Sequence, residues 1–184
     1  MKLFKKLAAA ALAAVLALSM VGCGAGSKGS TSTASELANM LVDTLDRMQI
    51  GAKHTGEMDD LAAALATSAG NAENAKETEM KNLLKDTTVL QNAGFTAEDL
   101  KNTAYFVSYA ENYKPQSPII TEEQKISWMA DQTMNHIQKV GKPANLGNVD
   151  ALELGAGTVK IGDTEYIVVV AKSVETPAPG TTKD

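Results

Sequence analysis

Two histidines, one cysteine and 22 carboxylates are the side chains of this 184-residue chain best suited to chemistry. Their spacing excludes much of it. His54 and His136 form no His-x-x-x-His pair, so helical metal ligation has no support. His54 stands in the polar stretch "GAKHTGE" and reads as solvated. His136, next to Ile137, reads as a helix-surface or groove-edge histidine. No serine stands in G-x-S-x-G, and serine chemistry needs a positioned base as well. There is no P-loop and no dinucleotide fingerprint. "GAG" at 155–157 is too short to cradle a phosphate and reads as a tight approach to a strand. No cofactor and no metal is implied. Carboxylate pairs remain, and these work only if a fold brings two of them together.

The cysteine, Cys23, belongs to another chemistry. "MKLFKK" carries Lys2, Lys5 and Lys6, and the uncharged "LAAAALAAVLALSMVG" follows. A basic n-region, an apolar h-region and small residues at a cleavage point make a secretory signal peptide over residues 1–22. The run is too short and too Ala-rich for a transmembrane helix, which needs about 20 apolar residues. "MVGC" resembles the bacterial lipobox, with Met20 where a Leu is usual. The resemblance implies that Cys23 is diacylglycerylated and becomes the mature N-terminus. Each buried acyl CH₂ adds about 0.8 kcal/mol, and two chains anchor stably where one does not. Cys23 is thus expected to be a lipid anchor, with the protein at the extracytoplasmic face of a cell membrane. With no second cysteine there is no disulfide, so stability rests on packing.

The signal takes three of the 17 Lys+Arg and none of the 22 Asp+Glu, so 14 basic face 22 acidic residues from Cys23 onward, a formal charge of −8. Such a chain is not built to neutralise phosphates, and nucleic acid is excluded as an expected partner. Residues 23–35 are a flexible Gly/Ser/Thr tether and residues 174–184 a Pro-containing disordered tail. One domain, 36–173, lies between.

The elements that must position any site follow from periodicity. Thr33 and Glu36 open a helix in which Leu37, Met40, Leu41, Leu45 and Met48 share a face. A second helix has Met58, Leu61, Ala62 and Leu65 on one side and Gly70 as its C-cap. A third is expected from Asn74 to Gly94, with Met80, Leu83, Leu84 and Leu90 inward and Phe95 making a Schellman contact. A fourth opens on a Thr121/Gln124 capping box, buries Ile126, Met129, Thr133, Ile137 and Val140, and stops at Gly141 and Pro143. Strand signals lie at 102–111 and in "GAGTVKI" and "EYIVVVAK", which flank the turn "GDT". The second of these is apolar on both faces and reads as a central strand. The expected fold is α+β: an α-β-α sandwich with a small, mainly antiparallel sheet, about four helices and a C-terminal β-hairpin. Most of the eight methionines fall in helical stripes, as core.

The order of these pieces resembles the bacterial branch of the CAP superfamily, the SCP-like domain of cysteine-rich secretory, antigen 5 and pathogenesis-related proteins. "GEMDDLAAALATSAGNAE" is similar to its loop and Ala-rich second helix. "LLKDTTVLQNAGF" is similar to its helix ending in Ala-Gly-aromatic. "YAEN" stands where the family has Gly-Glu-Asn, "TEEQKISWMADQTMNHI" resembles its Trp-Met helix, and "LGAGTVKIGDTEYIVVVAK" its closing hairpin. The family cleft holds two histidines and two acids. Here Glu111 alone matches. The second family histidine falls on Met134, and His136 lies two residues on, about 200° around a helix. The first has no counterpart in "NAENAKETEMKN". The resemblance therefore implies a degenerate cleft, with Glu111, Asn112, Trp128, Met134 and His136 around it, and a non-catalytic binding or interaction domain for a protein, peptide or lipid. The rivals are a cell-wall or peptide hydrolase using carboxylates near Glu111, and a helical lipoprotein that scaffolds a membrane complex.

Overall fold

The computed structural model describes residues 32–102, 105–112, 120–140 and 151–174. The signal peptide, Cys23 and most of the tether lie outside them. The elements run α1 (Thr33–Arg47), β1 (Gly51–His54), α2 (Gly56–Gly70), α3 (Met80–Leu83), α4 (Thr87–Asn92), α5 (Asp99–Asn102), β2 (Tyr105–Glu111), α6 (Glu122–Asn135), β3 (Gln138–Val140), β4 (Ala151–Ile161) and β5 (Thr164–Val174). The sheet order is β1-β4-β5-β2-β3. Every pairing is antiparallel except β1 with β4.

Helices cover both faces of this sheet. On β5, Val168 and Val170 point into a core formed with α2, α3 and α4, where Met58, Leu65, Leu84 and Phe95 are buried. Ile167, Val169 and Ala171 point the other way, against α1 and α6, with Leu37, Leu41, Ile126 and Met129. The α-β-α sandwich and the centrally placed, doubly covered strand follow directly from that apolar run. The closing hairpin turns at Gly162, whose φ is +61°. β5 runs on to Val174, one residue into the expected tail.

Local chemistry sets the boundaries. α6 opens with the expected capping box: Thr121 Oγ1 accepts from Gln124 N–H while the Gln124 side chain accepts from Thr121 N–H. α1 is capped one residue earlier than expected, by Ser32 in place of Thr33. Asn71, not Gly70, caps α2; Gly70 is its last helical residue. The expected long third helix is broken into α3 and α4. Asp86 breaks it, because its carboxylate accepts from the N–H groups of Thr88 and Val89 and so starts a new helix. The apolar stripe survives, with Met80, Leu83, Leu84 and Leu90 all buried. Phe95 N–H bonds to Leu90 O, and Gly94 takes φ +103°, as a Schellman stop requires.

α6 ends at Asn135, short of the expected Gly141. Strand pairing with β2 wins over helical continuation: Val107 faces Gln138 and Tyr105 faces Val140. Val140 is buried, but on a strand, while Ile137 is 47% exposed in the connection. Gly141 and Pro143 lie outside the described residues.

"GAG" sits where α2 lies flush on β4. A Cβ on Gly155 would stand 2.2 Å from the backbone of Met58 and Asp59, and one on Gly157 would stand 2.5 Å from that of Ala63. Both glycines exist for this backbone-to-backbone approach, with small Ala62, Ala66 and Ala69 buried on the helix side.

Candidate functional site

β3 pairs only with the first three residues of β2. Beyond Val107 the outer edge of β2 needs other hydrogen-bond partners. The C-terminal part of α6 supplies them. Gln132 Oε1 accepts from Glu111 N–H at 3.1 Å, and His136 Nδ1 donates to the Tyr109 carbonyl at 3.2 Å. That second bond sets the neutral ring's tautomer, leaving Nε2 as an acceptor. The imidazole stacks on the Tyr109 ring, 4.3 Å between centroids and 7° from parallel. Tyr166 of β5 meets Tyr109 edge-on at 6.1 Å. Three partly exposed rings thus form one aromatic platform at this end of the sheet.

Asn112 closes the same end. Its N–H donates to Glu165 O at 2.7 Å and its Nδ2 to Glu165 Oε2 at 2.6 Å. Its Oδ1 is buried without a hydrogen-bond partner. Glu111 is exposed. Lys81 pairs with Glu79 at 2.7 Å on the surface; this hydrogen bond raises the ammonium above the usual lysine value. Burial raises the Tyr109 hydroxyl above the ordinary tyrosine value, with Lys81 opposing. The Tyr109 hydroxyl therefore keeps its proton across the physiological range. Beside Tyr166 a pocket of about 220 Å³ opens between the β4–β5 turn and the chain before α3, with Lys76, Thr78 and Met80 on its wall.

The structure thus brings together three of the five expected cleft residues, Glu111, Asn112 and His136. Met134 is not with them: it lines an apolar cavity on the α1/α6 face of the sheet. Trp128, 43% exposed, lines neither that cavity nor the pocket. Tyr109 and Tyr166 were not expected here, although "YFVSYAE" and "EYIVVV" offered a signal: alternate strand positions fall on one face.

His54 is not solvated. β1, unrecognised as a strand, holds it half-buried, with Nε2 2.8 Å and 2.9 Å from the two Asp59 oxygens and Nδ1 3.1 Å from Asn39 Oδ1. Asp59 Oδ1 also accepts from Ala156 N–H at 2.9 Å. β1 stops at His54, so β4 loses its neighbour there, and this carboxylate satisfies the exposed edge. Both His54 nitrogens are engaged, so the cluster is a brace with no free base.

Among the described residues no three His, Cys, Asp or Glu side chains converge as metal ligands. No family model matches the chain, and no curated protein or solved structure is detectably similar to it.

Proposed function

We propose that the chain is a lipoprotein, held at the extracytoplasmic face of a cell membrane by acylated Cys23, whose folded domain is a degenerate CAP-type binding module without catalytic function. The signal-like N-terminus, "MVGC" and the Gly/Ser/Thr tether support the anchor. One observation carries the binding reading. Gln132 and Glu165 hold Glu111 N–H and Asn112, and His136 is tied to the Tyr109 carbonyl, so Glu111, Asn112 and His136 hold β2, β5 and α6 together. What they leave facing solvent is an aromatic surface suited to stacking against a ligand, beside a pocket of mixed polarity.

Detergent phase partitioning tests the anchor. The wild type partitions into detergent with two or three acyl chains on a mature N-terminal Cys23; Cys23→Ser does not gain them and its domain stays folded. A wild-type protein cut elsewhere, with a free Cys23 thiol, refutes it. Melting with Zn²⁺ or Mg²⁺ tests the domain. A specific site filled at 100 times its Kd would add about 2.7 kcal/mol. A large metal-specific rise, or an activity lost in folded Glu111→Gln, overturns the non-catalytic reading.

A further inference from the structure

The pocket beside Tyr166 has two unlike sides. Ala75 and Met80 belong to the buried core, so that part of its wall is fixed. Ile161 and the ring of Tyr166, which meets Tyr109 edge-on, continue the apolar side. Lys76, Thr78 and Thr164 bring an ammonium and two hydroxyls to the same small space. With the Tyr166 hydroxyl they form a set of polar groups whose side chains make no hydrogen bond or ion pair to another described residue. A ligand can therefore engage them without breaking an existing contact.

Charge narrows the choice of ligand. Lys76 is the one charged residue on the wall among the described residues, and it repels a cation. Glu77 lies between Lys76 and Thr78, and Asp163 directly precedes Thr164; both are exposed and neither is paired with a described cation. These two carboxylates more than offset the single ammonium, so an anion is not favoured either. A neutral ligand remains, one that carries both hydroxyls and an apolar face. The volume, about 220 Å³, lies below the roughly 300–1,000 Å³ of pockets that enclose drug-sized ligands, so it suits a single ring.

We propose that this pocket binds one ring of a neutral hexopyranose, with its C–H face on Tyr166 and its hydroxyls at Lys76, Thr78 and Thr164. The proposal rests on reading the domain as a binding module and names the ligand class of the surface assigned there. The C–H bonds on a pyranose face carry slight positive charge, which suits the negative face of an aromatic ring. The hydroxyls on its rim both donate and accept, as threonine and tyrosine hydroxyls do.

Saturation-transfer NMR titrations of the unacylated full chain test it. The probes are the methyl β-glycosides of glucose, galactose and mannose, the uronate and the protonated amino sugar of each, and trialanine. At least one neutral glycoside is expected to bind saturably, with the strongest transfer from its ring C–H protons. Its charged counterparts should bind more weakly, each by about threefold or more. Lys76→Met removes a charged donor at an exposed position and should weaken the glycoside about tenfold at an unaltered melting temperature. Tyr166→Leu should abolish binding; should that variant unfold, Tyr166→Phe, which keeps the ring, is expected to retain the C–H transfer and lose affinity. If no glycoside binds, or trialanine alone does, the sugar assignment is overturned. If a charged counterpart binds as tightly as its glycoside, the neutral ligand is overturned. If Lys76→Met and the folded Tyr166 variants all bind as the wild type does, the pocket is overturned as the site. None of these results touches the binding-module reading, which fails separately if a metal stabilises the protein or Glu111→Gln loses an activity.

Discussion

Replacing Gly155 by Ala tests how α2 is mounted on the sheet. The added Cβ would stand 2.2 Å from Asp59 N and from Met58 C. Ordinary van der Waals contact begins more than 1 Å farther out, and the obstruction is helix backbone, which has no rotamer to change. α2 must lift or tilt. A gap of about 1 Å forfeits a quarter to a half of the dispersion energy of atoms on either side. Met58, Ala62, Leu65, Ala66 and Ala69, all at 1% exposure or less, make that contact. The same shift strains the hydrogen bond from Ala156 N–H to Asp59. Overpacking of this kind costs about 1–3 kcal/mol, and an immovable neighbour places Gly155→Ala at the upper end, about 3 kcal/mol. Urea unfolding of wild type, Gly155→Ala and Gly162→Ala measures it. Gly162 is the control: its φ is +61° but a Cβ there meets nothing, so only backbone strain of about 1 kcal/mol is expected. Gly155→Ala within 0.5 kcal/mol of wild type, or no worse than Gly162→Ala, would refute flush packing as the reason for these glycines.

Asp59→Ala should cost about 2–3 kcal/mol in the same assay, because it strands a strand-edge N–H and the half-buried His54 together; Asp59→Asn, which keeps an acceptor oxygen, should cost clearly less. Thr121→Ala removes one half of the α6 capping box and should lower stability by about 1 kcal/mol, with helix content otherwise retained by circular dichroism. Burial raises the hydroxyls of both Tyr105 and Tyr109 above their ordinary value, so the folded state holds these protons where the unfolded chain has begun to release them. Stability from this source is intact below about pH 10 and falls as pH rises from there toward the folded values. Tyr105→Phe and Tyr109→Phe should therefore flatten the alkaline decline of the melting temperature, and a decline unchanged in both variants would exclude the tyrosines as its cause.

Much of the architecture was legible because burial is written as period. The apolar stripes of α1, α2 and α6 and the unbroken run in β5 determine which faces must be covered, and covering both sides of β5 already implies three layers. The misreadings lie where a short polar group outweighed period. Asp86 has the helix-starting chemistry to split α3 from α4 inside a continuous stripe. β1 is only four residues, alternates weakly, and is a strand because β4 supplies a parallel partner 100 residues on in sequence. The end of α6 was misplaced for the same reason: Ile137 and Val140 keep helical spacing, but β2 offers Gln138–Val140 a ladder. At the site, Glu111, Asn112 and His136 were expected around one cleft only through the family resemblance; the structure gathers them at one end of the sheet. Their hydrogen bonds were not legible: those of Glu111 and His136 to Gln132 and Tyr109 depend on β3 stopping early, and that of Asn112 to Glu165 on the register of β2 against β5.

The His54 brace has a consequence for how the domain opens. Asn39 belongs to the helix on one face of the sheet, Asp59 to the helix on the other, and His54 lies on the edge strand between them. A polar link therefore runs around the rim of the sheet and joins layers whose apolar cores are otherwise separate. Fraying of β1 breaks the contacts of His54 to both helices at once. The N-terminal segments α1, β1 and α2 should then exchange their amide hydrogens as one cooperative unit. α1 begins only ten residues after Cys23. Any pull on the domain from that side enters through α1 and is shared at Asn39 by both layers.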